Sequence, residues 1–119
     1  MKVKAVRGAV GVAENSEKAI HDSAAELLRE VLARNRISKG EVISILFSIT
    51  RDLTRGNPAT GVRALGFSET PLFCLQEADI EGDLPGIIRI LVTYNCDSER
   101  EPVPIYLGSA QALRPDLSG

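Results

Sequence analysis

Two arginines interrupt apolar stretches of this sequence and are its first candidates for ligand binding. Arg89 lies in GIIRILVTYN, residues 86–95, and Arg7 lies in VKAVRGA, residues 3–9. Both stretches have the residue types of β-strands. A guanidinium stays charged at any ordinary pH, and burying it without a partner is costly. Because its fixed fork binds carboxylates through two hydrogen bonds, an arginine on a strand suits the binding of a small anion.

The two-residue period of a strand indicates which other side chains could join these arginines. In PLFCLQE, residues 71–77, one face carries Phe73, Leu75 and Glu77. The opposite face carries Leu72, Cys74 and Gln76. A further strand, within residues 104–113, carries Tyr106. The two arginines, Glu77 and Tyr106 could therefore converge on one small anionic ligand.

Each of these residues also has a structural interpretation. Glu77 could form an ion pair with Arg7 or Arg89, and structural ion pairs are the commoner source of charges on strands. Tyr106 could be an amphipathic core residue and Cys74 a small buried hydrophobe. The single histidine, His21, is expected on the surface of a helix, which argues against a catalytic triad or a histidine-rich metal site. The pattern alone predicts a cytoplasmic α/β domain, and it leaves both the structural interpretation and the binding of a small acid open.

The elements that must position these residues follow from periodicity and caps. Residues 3–9 predict a strand, and Asn15 or Ser16 can cap a helix whose apolar stripe is Ile20, Ala24, Leu27, Leu28, Val31 and Leu32. Residues 41–50 predict a central strand, and NPATGVRALG predicts a short helix with Asn57 as N-cap and Gly66 as C-cap. Three more strands follow, within residues 71–77, 86–95 and 104–113.

This order predicts an α/β fold of the α+β kind, with a mixed sheet of about five strands and two helices on one face. Several strands are apolar on both faces, so we expect other subunits to cover the second face. The chain of 119 residues suits one domain, residues 1–119, with a mobile C-terminal tail from about residue 113.

Composition limits the partners and the compartment. The net charge is −2 and the basic residues are scattered, which excludes a polyanion-binding surplus and predicts no nucleic-acid partner. No apolar run approaches the roughly 20 residues of a membrane span, and the N-terminus lacks a signal-peptide pattern. Cys74 and Cys96 have neither metal-site nor redox-motif spacing, so we expect reduced thiols in a cytoplasmic protein.

Five segments, in order over nearly the whole chain, carry a resemblance to a known family. They are VRGAV, NPATGVRAL, PLFCLQE, GIIRILV, and IYL followed by LRPDLS. Together they resemble the monofunctional chorismate mutases of the AroH type. The resemblance implies conversion of chorismate to prephenate, on the route to phenylalanine and tyrosine. It also implies a homotrimer with a pseudo-barrel core of sheets and active sites between subunits.

The resemblance assigns roles to the candidate residues. Arg7 and Tyr106 match groups that hold a substrate carboxylate, and Arg89 matches the cation at the ether oxygen that is cleaved. Glu77, with the backbone and thiol of Cys74, matches the groups that meet the ring hydroxyl. The neighbours in the same segment are counted with the substrate-binding residues: Phe73, Leu75 and Gln76.

Two further segments complete the site that the resemblance implies. Arg114, in LRPDLS, matches a mobile tail that closes over the cleft. The segment with Asn57, Ala59 and Thr60 matches a wall supplied by the adjoining subunit. Family members often carry an aromatic residue where Asn57 stands and a longer polar residue where Thr60 stands. These departures predict weaker chorismate binding or a differently polar cleft mouth.

The implied chemistry is a concerted pericyclic rearrangement, which requires no nucleophile, proton transfer, metal or cofactor. The protein must hold the substrate dianion in a compact shape and stabilise the charge that develops as the C–O bond breaks. Two alternatives stand beside it. One is a trimeric imine hydrolase of the YjgF/RidA type, which also uses an interfacial arginine. The other is a mutase relative that binds a small acid without turnover.

Overall fold

The architecture is a single five-stranded sheet with two helices packed on one face, seen here in a computed structural model that describes residues 2–115. The elements in chain order are β1 (Lys2–Gly11), α1 (Glu17–Arg34), β2 (Val42–Ile49), α2 (Pro58–Arg63), β3 (Leu72–Gln76), β4 (Ile87–Cys96) and β5 (Ile105–Leu107). Short 3-10 helices span Lys39–Glu41 and Gly108–Leu113. The predicted order of elements and the predicted fold class are confirmed.

The strand order across the sheet is β3-β2-β4-β1-β5. Strand β4 lies at the centre and runs antiparallel to both of its neighbours, β1 and β2. The two short outer strands are parallel to the strands that they border, β3 to β2 and β5 to β1. The sheet is therefore mixed, as expected, and the strand that carries Arg89 is flanked by long strands on both sides.

Local signals explain both helices. The Ser16 side chain accepts a hydrogen bond from the Ala19 amide and begins α1, and Asn57 does the same for the Ala59 amide at the start of α2. Pro58 follows at the first helical position, where its missing N–H has no consequence. Helix α2 ends at Arg63, earlier than predicted, and Gly66 takes a left-handed φ of 99° in the turn beyond it.

The helices approach each other closely around a glycine. A Cβ added at Gly61 of α2 would lie 2.6 Å from the carbonyl oxygen of His21 in α1, so no larger residue fits there. The His21 ring also packs beside Gly56. His21 is half-buried at this helix junction, so the prediction of a surface position was wrong. The reason is that Gly56 and Gly61 are small enough to let the two helices close around it.

The two faces of the sheet differ in how they are covered. On one face, β-strand side chains pack against the helices in the main core, with Ile45, Phe47, Ile88, Ile90 and Val92 almost fully buried. On the other face, Val3, Phe73 and Leu75 are 65%, 63% and 53% exposed. A small cluster closes one end of that face, where Ala9, Ile87, Tyr106 and Ala110 meet. This second face is called the open face below.

Candidate active site

One row of side chains crosses all five strands on the open face. The pairing register places Tyr106 beside Ala9, Ala9 beside Arg89, Arg89 beside Ser48, and Ser48 beside Leu75. Arg89 therefore lies mid-sheet, in the middle of the row. Of its two neighbours in the row, Ala9 is fully buried and Ser48 is half-buried.

Arg89, the charged residue of this row, forms an ion pair that reaches across β2 to the end of β3. Glu77 follows β3, and its carboxylate oxygen Oε1 contacts Arg89 Nε from β4. The same oxygen accepts a hydrogen bond of 2.9 Å from the Ser48 hydroxyl. The backbone N–H of Glu77 donates to the Ile49 carbonyl at 2.8 Å, which extends the β2–β3 ladder past the end of β3. The Glu77 carboxylate is thus held by its backbone, by Ser48 and by Arg89.

A cleft of about 300 Å³ opens over this row. Of the candidate residues, it is lined by Arg7, Leu75, Arg89 and Tyr106. Arg7 lies opposite Leu91 in the register, one row from Arg89, and its side chain is exposed. Phe73 lies further along the same face, in the row of Arg7, Leu91 and Leu46. The structure therefore gathers two arginines and a tyrosine around one opening, with Glu77 paired at its edge.

A second group of candidates lies elsewhere in the chain. Asn57, Cys74 and Gln76 line another cleft, of about 230 Å³, beside β3, and Leu75 borders both clefts. The Cys74 side chain packs toward the helix-side core, and this burial raises the pKa of its thiol. On α2, Ala59 is buried and Thr60 is exposed. Within one chain, these side chains do not share the Arg89 cleft.

The C-terminal candidates follow β5. The 3-10 helix of Gly108–Leu113 covers one end of the open face, where Ala110 and Leu113 pack with Tyr106. Arg114 comes directly after it and is half-buried. The rest of the LRPDLS motif, residues 116–118, lies outside the described residues.

Comparisons with known proteins show the family of this chain. The model of the family "Chorismate mutase type I" matches residues 3–117. The chain is 39% identical over 117 residues to "Chorismate mutase AroH" of Thermus thermophilus, covering 97% of this chain and 96% of that protein. It is 34% identical over 120 aligned positions to "Chorismate mutase AroH" of Bacillus subtilis (strain 168), covering 99% and 94%.

The chain belongs to the type I chorismate mutase family. A solved chorismate mutase from Clostridium thermocellum has the same fold, with a TM-score of 0.88, 33% identity, and coverage of 92% of this chain and 98% of that one. The expected enzyme class and reaction, the isomerisation of chorismate to prephenate, are confirmed. Neither the imine hydrolase nor the non-catalytic relative gains support.

Two residues of the row that contains Arg89, Ser48 and Ala9, were not among the candidates predicted from the sequence. Both stand in the central row, and Ser48 contacts Glu77 directly. One signal was present, since Ser48 is a small polar residue in the apolar strand ILFSI. Its contact with Glu77 could not be predicted from local pattern, because that contact depends on the order of the strands.

The described residues were also compared with the requirements of a metal site and of a membrane-spanning helix. Within residues 2–115, no grouping of three or more His, Cys, Asp or Glu side chains could hold a metal ion. In the same range, no helix is long and apolar enough to cross a membrane. Both cysteines carry free thiols.

Proposed function

We propose that this chorismate mutase binds its substrate in the Arg89 cleft and works as a homotrimer whose subunits cover one another's open faces. The observation that carries the proposal is the convergence of Arg7, Arg89 and Tyr106 on one opening. Two guanidinium groups and a phenol suit a small dianion. Glu77 offsets part of the positive charge, and its carboxylate can accept a hydrogen bond from a substrate hydroxyl.

Arg89 is the proposed catalytic cation. Its backbone is held in the central strand, and its guanidinium contacts Glu77, so the group is oriented before substrate arrives. A donor that needs no reorganisation stabilises negative charge on the ether oxygen as the C–O bond breaks. Arg7 and Tyr106 would hold a substrate carboxylate and keep the molecule in its compact, reactive shape.

The trimer is proposed because the open face carries exposed apolar side chains. Val3, Leu46, Phe73, Leu75 and Leu91 are each more than a third exposed. Contiguous apolar surface of this kind is typical of an interaction site. In a closed ring of three subunits, each open face would be covered by a different surface of the neighbouring subunit, through head-to-tail contacts that close on themselves.

The second cleft gains a role in such a ring. Asn57 and Cys74 lie beside β3, at one edge of the sheet, and face away from the Arg89 cleft of their own chain. We infer that this edge meets the Arg89 cleft of a neighbouring subunit and supplies the wall with Ala59 and Thr60. Arg114 and the tail from about residue 113 would then close over bound chorismate. The proposed compartment is the cytoplasm.

A direct assay tests this proposal. Purified protein is mixed with chorismate, and the loss of chorismate absorbance is followed with and without the substitution Arg7→Ala. We expect turnover by the unmodified protein and a raised KM for the variant, because Arg7 is assigned to a carboxylate. Unchanged KM and kcat for Arg7→Ala would show that the substrate binds elsewhere. Lys4→Ala, on the helix-side face of the same strand, is the matched control.

A further inference from the structure

The ion pair between Arg89 and Glu77 has to cross an intervening strand. Glu77 lies at the end of β3, Arg89 lies in β4, and β2 runs between them. Neighbouring strands are about 4.8 Å apart, so the two backbones are separated by on the order of 10 Å. The Arg89 side chain must therefore extend over the surface of β2 to reach the carboxylate.

Ser48 is the residue of β2 beneath this crossing. It pairs directly with Arg89 in the antiparallel register and with Leu75 of β3 in the parallel one. Cross-strand partners on one face have Cβ atoms about 5 Å apart, which places the Ser48 side chain beside the arginine stem. A branched or long side chain at this position would occupy the space that the stem crosses.

The Ser48 hydroxyl also fixes the acceptor of the ion pair. It donates to Glu77 Oε1 at 2.9 Å, and Arg89 Nε contacts that same oxygen. A carboxylate with one oxygen held by two donors has a defined orientation. The same two contacts fix the direction in which the other oxygen, Oε2, points. The contact with Nε also fixes the plane of the Arg89 guanidinium.

We propose that Ser48 is the positioning residue of this active site. Its small size lets Arg89 reach Glu77, and its hydroxyl holds Oε1 so that Oε2 is the oxygen that accepts from the substrate hydroxyl. Through Glu77, it sets the direction in which the Arg89 guanidinium meets the ether oxygen. This inference rests on the proposed placement of chorismate in the Arg89 cleft.

The choice of serine supports a functional role over a purely structural one. An interior strand such as β2 favours β-branched and aromatic residues, and serine adds little to strand packing. The neighbours of Ser48 along β2 follow that preference, with Phe47 and Ile49 on either side. A residue that departs from the local preference at the centre of a charged network is typical of a functional site.

The test compares two substitutions at Ser48 with the same two at Ser44. Ser44 lies on the same strand and the same face, but its cross-strand partner is Thr93, which carries no charge. We expect Ser48→Ala to lower kcat about 10-fold, as the loss of a hydrogen bond to a charged group predicts. We expect Ser48→Val to lower it about 100-fold, because the crossing is blocked as well. Ser44→Ala and Ser44→Val should stay within about 2-fold of the unmodified enzyme.

Two readouts separate positioning from loss of fold. Because the guanidinium direction matters most in the transition state, kcat should fall more than KM rises for Ser48→Ala. In a Glu77→Gln background, Ser48→Ala should lower kcat by less than about 2-fold, since the hydroxyl acts through the carboxylate. Melting curves and masses from light scattering are recorded for every variant. If Ser48→Val does not fold, the kinetics of Ser48→Ala are sufficient to test the positioning role.

The outcomes distinguish this inference from the proposed site. If Arg89→Ala destroys turnover while Ser48→Ala keeps a normal kcat, the positioning role is wrong and the site stands. If the effects of Ser48→Ala and Glu77→Gln multiply independently, the role is also wrong. If Arg89→Ala turns over chorismate normally, the proposed site is wrong and the role of Ser48 is overturned with it.

Discussion

The two faces of the central strand, β4, differ in burial and charge, and they separate the main core from the proposed active site. On the helix-covered face of β4, Ile88, Ile90 and Val92 are nearly fully buried in the main core. On the open face, Arg89 alternates with Ile87 and Leu91, and its side chain is 40% exposed. The covered face requires apolar side chains that pack against the helices, whereas the open face combines exposed apolar side chains with a charged one. Adjacent residues of this strand should therefore respond to substitution in opposite ways.

The largest expected effect on activity is that of Arg89→Ala. We expect kcat to fall by about 10² to 10³, because removing one preorganised donor to developing negative charge has that consequence. The melting temperature and assembly should change little. Arg89→Lys should rescue activity only in part, since lysine keeps the charge but lacks the planar fork. Steady-state kinetics and a melting curve on the same preparation provide the measurement.

Ile90→Ala is the matched control for this prediction, one residue along the same strand. It should lower the free energy of unfolding by about 2–5 kcal/mol, as truncation of a buried isoleucine does. The folded fraction should turn over chorismate normally. If Arg89→Ala instead lowers the melting temperature and leaves kcat unchanged, the Arg89–Glu77 pair is structural and the contrast between the faces disappears.

The next largest effect should come from the apolar part of the open face. Phe73→Ser removes a side chain that is 63% exposed in the single chain. We expect the unmodified protein to scatter light as a trimer at micromolar concentration and the variant to dissociate more readily, with a loss of activity that follows the loss of trimer. A stable, fully active monomer of the unmodified protein would remove the basis for an interfacial site.

Truncation before Leu113 should have a smaller effect, confined to substrate capture. The shortened chain lacks Arg114 and the tail that we propose as a cover, so KM should rise more than kcat falls. Initial rates over a range of chorismate concentrations measure both constants. An unchanged KM in the truncated protein, with the trimer intact, would exclude a substrate-closing role.

The smallest effect should be that of a chelator. Pericyclic rearrangement has no step that requires a metal, so turnover should survive an excess of chelator and, because the thiols are free, a reducing agent. Activity lost in chelator and restored by a divalent ion would contradict the proposed mechanism.

Much of the fold could be predicted because its signals are local. Ser16 and Asn57 cap helices through hydrogen bonds to residues two or three positions away. The alternation in β4 predicted that Arg89 and Leu91 share one face, which the burial pattern confirms. The fifth strand was located only approximately, because Gly108 turns the chain into a 3-10 helix after three residues, with a left-handed φ of 59°.

The candidate site was predicted less completely because its contacts are nonlocal. Arg7, Glu77, Arg89 and Tyr106 could be proposed from their residue types, and the family resemblance assigned their roles. The arginine that pairs with Glu77 could not be predicted. The alternation of side chains along a strand shows which residues share a face, but not which strand lies beside it. Cys74 could be placed on the face opposite Glu77, but its separation from the Arg89 cleft depends on where β3 lies in the sheet.

By itself, the sequence determined the helix starts, the strand faces, and the family to which the chain belongs, because each depends on short-range pattern or on ordered motifs. Only the tertiary structure decided that β2 separates Glu77 from Arg89 and that Ser48 lies under their contact. The physical reason is that strand order is set by packing of the whole sheet against α1 and α2. Residues 29 and 12 positions from Glu77 become its partners only once that packing exists.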